Sequence, residues 1–156
     1  MTDHGAMARG LIDENVYMVL GTADARGVPW GSPVFFSPHD YREFYWVSSP
    51  DTRHSRNLAE RAEISIVIFD SRTVVGTAEA VYVAGTAQQV PDDELGPAAA
   101  IYNSRLPEKR HFMAEELVDP GLFRLYRATA IEHSVLIRGG DPEYGKGADS
   151  RLVVSL

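Results

Sequence analysis

A chain of 156 residues has room for one hydrophobic core, and 44% hydrophobic with 24% charged residues is the make-up of a folded globular protein. The formal charge of −7 opposes binding to nucleic acid or anionic lipid, and the absence of cysteine excludes disulfides, thiolate metal sites and a cysteine nucleophile. No apolar run reaches the ~20 residues of a membrane helix, and the stretch MTDHGAMARGLIDEN lacks the apolar centre of a secretory signal, so a single cytoplasmic domain over residues 1–156 is expected.

Residues 6–14 carry a short helical pattern, and Val16-Tyr17-Met18-Val19-Leu20 reads as a buried strand. Asp24-Ala25-Arg26-Gly27 is turn chemistry leading into a second strand, Val28 to Ser37, in an antiparallel hairpin. Pro29 and Pro33 cannot donate to a ladder, which places parts of that strand at an edge, a bulge or beside something other than a strand. After the turn at Pro38-His39-Asp40, residues 43–47 form a strand, Thr52 to Arg61 a helix, and the β-branched run Ile64 to Phe69 another strand.

A long strand pattern covers Thr77 to Val90, with Val81, Val83 and Gly85 facing one side and Ala80, Tyr82 and Ala84 the other. Helices are predicted over 92–104 and 109–118, separated by Pro107. Leu122 to Arg138 and Leu152 to Val154 complete the strands, and 139–150 reads as a flexible loop. Six or seven strands without regular βαβ alternation predict a mainly β fold, an antiparallel barrel with added helices.

Two motif-like features lack chemistry. Gly140-x4-Gly145-Lys146 approaches a phosphate-binding loop, but Gly147 stands where a hydroxyl is needed and a strand pattern follows instead of a helix. The five histidines show no metal-ligand spacing, although His111 and Glu115 are four apart, and no serine-nucleophile elbow is present. No metal site is expected, and no residue is singled out as catalytic.

The segment SSPDTRHSRNL, residues 48–58, is different. Ser48 and Ser49 end a strand, Asp51 and Thr52 can cap a helix, and Arg53, His54 and Arg56 fall in its first turns. Cations at a helix N-terminus oppose the macrodipole unless an anion sits among them, and hydroxyls, backbone N–H groups and cations together make an anion site. Solvated or ion-paired arginines beside an ordinary helix cap are the competing reading.

The order VLGTADARGVPWGSPVFF, FYWVSSPDTRHSRNLAERAEISIVIFD, AVYVAGTAQQV resembles the FMN-binding split β-barrel family typified by pyridoxamine 5′-phosphate oxidase. The resemblance implies a split β-barrel, an FMN-dependent oxidoreductase acting on a small-molecule substrate, and a homodimer with the cofactor at its interface. It places the flavin along Gly31, Ser32, Pro33, Val34, Phe35 and Phe36, with Val47, Ser48 and Ser49 at the strand end beside ribityl and phosphate. Arg53 and His54 match the family's basic pair, His54 standing where lysine is usual. A charge on that imidazole is lost near pH ~6.5 unless a phosphate raises its pKa, which predicts weaker binding at alkaline pH. Glu79 lies near the position of a common glutamine, where a carboxylate disfavours an anionic reduced flavin. The wider group also uses deazaflavin or haem, and a cofactor-free binding dimer is a further alternative.

Overall fold

The computed structural model describes residues 2–156. Eight strands form one antiparallel sheet: β1 (Tyr17–Ala23), β2 (Pro29–Phe35), β3 (Ser37–His39), β4 (Glu43–Ser48), β5 (Glu63–Phe69), β6 (Ala80–Gln89), β7 (Arg124–Ile137) and β8 (Ser150–Val154). Their order is β2-β1-β5-β6-β7-β4-β3, with β8 added to β7. Because β3 follows β2 after the single residue Phe36, the two ends of the sheet meet and the strands curl into a half-open barrel. The expected fold class is found, with one strand more than expected.

The barrel interior is lined by alternate side chains, among them Met18, Leu20, Val34, Phe36, Phe44, Trp46, Ile66 and Val83. Helix α1 (His4–Glu14) seals this core with Ala8 and Ile12, and α2 (Arg53–Glu60) inserts Leu58. A second apolar cluster lies outside the barrel, where α3 (Leu95–Asn103) packs Leu95, Ala98, Ala99 and Tyr102 near Tyr45 and Leu125. The barrel needs one tight crossing. A Cβ on Gly85 would fall 2.2 Å from the Thr129 carbonyl oxygen, beside the register shift that leaves Ile131 exposed.

Three expectations change in detail. Residues 109–118 are not a helix but two 3₁₀ turns, Glu108–Arg110 and Ala114–Leu117. Between them Phe112 is held by a reciprocal pair of hydrogen bonds, its N–H donating to Asn103 Oδ1 (3.0 Å) and Asn103 Nδ2 donating to its carbonyl (2.9 Å). The sixth strand begins at Ala80, because the Thr77 N–H and hydroxyl both close a turn onto the Val74 carbonyl. Residues 139–149 form hydrogen-bonded turns, with Asp141 Oδ1 accepting from the N–H groups of Glu143 and Tyr144, and no helix follows them.

Candidate functional site

The direction of the β2 backbone determines where the sheet is open. The Phe36 N–H donates to Val16 O and the Asp24 N–H to Val28 O, both at 3.1 Å, and the β1–β2 register between these points is unbroken. Even-numbered residues of β2 therefore turn their N–H and C=O toward β1, while Gly31, Pro33 and Phe35 turn theirs away. Pro33 occupies a position where no ladder bond is at stake, and the edge placement expected from the prolines is correct.

The same alternation applies to β4. The Ala130 N–H donates to Arg42 O (2.8 Å), so even-numbered residues of β4 bond to β7 and odd-numbered ones face β3. Glu43 and Tyr45 find partners in β3, whereas Val47 lies beyond its end. β2 and β4 adjoin without pairing, and two open strand edges, Gly31–Phe35 and Val47, face one slot.

Helix α2 closes one end of the slot. The Thr52 hydroxyl caps it, and lies 2.7 Å from Ser55 Oγ and 3.1 Å from His54 Nε2. His54 Nε2 also lies 2.8 Å from Ser48 Oγ, and Asn57 Nδ2 donates to the buried Thr22 hydroxyl at 3.0 Å. The hydroxyls expected to meet an anion are thus tied into an internal polar network. Ser49 contributes its carbonyl to Thr52 and its hydroxyl to the Asp51 N–H.

Arg53 and His54 part company. His54 is buried, and burial lowers its imidazole pKa, so the ring is a neutral hydrogen-bonding group at neutral pH and has no charge to lose on the alkaline side. This corrects the expectation of a cationic pair. Arg53 is exposed, its guanidinium 4.4 Å from the centre of the Trp30 ring at the end of β2. Beside it a hollow of about 410 Å³ is lined by Asp24, Arg53, Arg56, Asn57 and Glu60, and Arg56 Nη1 donates to Asp51 O.

Of the residues expected at the site, Ser32, Pro33, Val34, Phe35, Val47, Ser48, Arg53 and His54 lie on the strands and helix around the slot, and Phe36 and Ser49 directly follow β2 and β4. The side chains of Val34 and Phe36 point into the core, leaving Pro33 and Phe35 outward. Glu79 is exposed and precedes β6, which β1 and β5 separate from β2 in the sheet.

Trp30, Thr22 and Asn57 escaped the sequence reading. Thr22 had left a trace, a polar residue in step with buried Met18 and Leu20 and therefore in need of a buried partner. No cluster of three or more potential metal ligands occurs among the described residues.

The sequence matches the family described as "Pyridoxamine 5'-phosphate oxidase" over residues 6–132. The chain belongs to that family. A pyridoxine/pyridoxamine 5'-phosphate oxidase of Streptomyces avermitilis is 32% identical over 100 residues, which is 64% of this chain but 42% of the relative. The oxidase-family fold is also shared with a haem-binding protein from Mycobacterium smegmatis, at TM-score 0.72 and 21% identity over 98% of this chain and 59% of that one. A FAD-binding protein from Mesorhizobium loti superposes at TM-score 0.65 and 17% identity, covering 86% of this chain and 94% of its own. This family member therefore spans less than two thirds of its first relatives, and its structural neighbours include both haem-binding and flavin-binding proteins.

Proposed function

We propose that this protein is an FMN-dependent oxidoreductase that holds the flavin in the slot between β2 and β4 and works as a homodimer on a small-molecule substrate. The observation that carries this reading is the pair of unpaired strand edges meeting beside an exposed arginine. When bound, FMN would supply hydride transfer through its N5, which accounts for a site without a catalytic triad.

The donor set suits that group. The N–H groups of Gly31 and Phe35 are free to donate to heteroatoms of a flat ring, and Pro33 between them adds no competing donor. Arg53 is the cation for the phosphate, stacked on Trp30 and therefore pre-oriented. His54 contributes as a neutral group that holds Ser48 and the helix cap in place.

Haem is the competing ligand, because a haem-binding protein shares the fold. Against it, the imidazole nearest the slot has its Nε2 engaged by Ser48 and Thr52. Titration with FMN, followed by flavin absorbance and thermal stability, tests the proposal. A stoichiometric flavin spectrum and a raised melting temperature are expected, both weakened in Arg53→Ala. A protein that stays colourless and gains no stability refutes it, and haem or deazaflavin bands identify those alternatives. Sedimentation of the loaded protein tests the dimer.

A further inference from the structure

On the other flank of β2, outside the barrel, lies a cavity of about 590 Å³ walled by Tyr17, Phe35, Tyr102, Leu106, Phe112 and Arg110 among others. That volume is in the range of small-molecule sites. Its walls are held in place before any ligand arrives. The Ser37 hydroxyl donates to Tyr102 O at 2.7 Å, and Asn103 clamps Phe112 from both sides. Arg105 forms part of the lining but is consumed. Its Nη1 donates to Asn15 O (2.9 Å) and Phe36 O (3.2 Å), and its Nη2 to Ile12 O (2.8 Å) and Asp13 O (2.9 Å).

Three polar side chains remain, Tyr102, Arg110 and the exposed Tyr17. Tyr102 is 6% exposed, lines the cavity, and its hydroxyl has no hydrogen-bond partner among the described residues. Because Tyr102 lines the cavity, its hydroxyl is left to water or to a ligand acceptor entering there. Burial, aided by Tyr17, pushes its pKa up to about 12, and it remains a donor at physiological pH. Arg110 is exposed and its guanidinium makes no ion pair among the described residues, while no carboxylate lines the cavity. The aromatic walls meet edge to face, with Phe35 5.7 Å from Tyr102 and 6.2 Å from Tyr17 between ring centres.

We propose that this cavity takes a planar aromatic carboxylate, its ring among Tyr17, Phe35, Tyr102 and Phe112 and its charge met by the Tyr102 hydroxyl and Arg110. One free cation beside neutral phenol donors matches a monoanion, whereas a phosphate monoester carries nearly two charges and would need the guanidinium that Arg105 has already committed to backbone carbonyls. As the substrate site of the proposed flavoenzyme this assignment rests on that reading. The binding itself does not.

The probe is 2-naphthoate, titrated by fluorescence into the full chain with and without added FMN. Saturable one-to-one binding is expected in both cases, weakened about tenfold in Tyr102→Phe, which removes the hydroxyl but keeps the ring. Arg110→Ala should weaken it about threefold, an effect that vanishes at high salt and is largely restored by Arg110→Lys. Absence of saturable binding, unchanged affinity in both variants whose melting temperatures match the parent, or 2-naphthyl phosphate binding tenfold tighter than the carboxylate would each overturn the proposal. Failure of FMN to bind while naphthoate binds sinks the flavin reading alone.

Discussion

The two hollows that flank β2 are built in opposite ways. The slot toward β4 is framed by backbone, with open strand edges along its length and hydroxyls turned inward onto His54 and Thr52. The cavity toward α3 is framed by side chains, aromatic walls backed by the hydrogen bonds of Ser37, Asn103 and Arg105, with the Tyr102 hydroxyl among them. Both arise from the alternation of one strand. Odd-numbered residues offer backbone to the slot through their N–H and C=O groups, and Phe35 offers its ring to the cavity. A slot defined by main-chain direction tolerates changes of side chain, while a cavity defined by side chains does not.

The largest expected effect of a side-chain truncation tests the cavity's dependence on side chains. Arg105→Ala strands four carbonyls around the end of α1 and β2, and should cost about 3 kcal/mol in urea unfolding. Naphthoate binding should be lost while the folded fraction still takes up FMN. Loss of both together would show that the hollows are a single unit.

On the slot side, Asn57→Ala leaves the buried Thr22 hydroxyl without its donor and should cost about 2 kcal/mol. Because Asn57 fastens α2 to β1, FMN affinity should fall and naphthoate affinity should not. Unfolding curves and the two titrations check this.

How far such contrasts are legible in sequence depends on their range. The strands were readable because burial imposes a period of two, as along Met18, Leu20 and Thr22 or Val81 and Val83, and α2 was readable from Thr52 and the polar run after it. The failures at His54, at 109–118 and at Tyr102 and Arg105 come from contacts between separate elements. Nothing local tells that His54 reaches back six residues to Ser48 and is buried, so its charge was overestimated. Residues 109–118 have helical composition, but the clamp from Asn103 holds Phe112 extended between two short turns. Tyr102 in the expected helix and Arg105 just after it are unremarkable in sequence until the fold places a cavity beside both and four carbonyls around the arginine.

A smaller effect separates the slot's network from its exposed arginine. Burial lowers the pKa of His54 and of His133 below the unfolded value near ~6.5. The unfolded chain then binds more protons as pH falls below that value, so the stability these rings confer is present above it and is lost progressively on acidification through the folded values. Melting temperature should drop between neutral and mildly acid pH, and His54→Gln, which cannot titrate, should make that slope shallower. A slope unchanged in the variant would mean that His133 accounts for it.

The smallest expected effect is the sharpest test of how the slot is framed. Pro33 pairs with Val19 in register but directs its backbone nitrogen to the open edge, so Pro33→Ala adds an N–H that faces the slot and removes no ladder bond. Stability should fall by no more than about 1 kcal/mol, the scale of proline's effect on the unfolded chain. At Val34, one residue on, the N–H belongs to the β1 ladder and the side chain to the core, so Val34→Pro should prevent a stable fold. If Pro33→Ala stabilised as a gained ladder bond does, or if the new amide were protected from hydrogen exchange without ligand, the edge would be paired and the slot closed. An amide that exchanges freely in the apo protein and slowly with FMN would place the flavin along this edge.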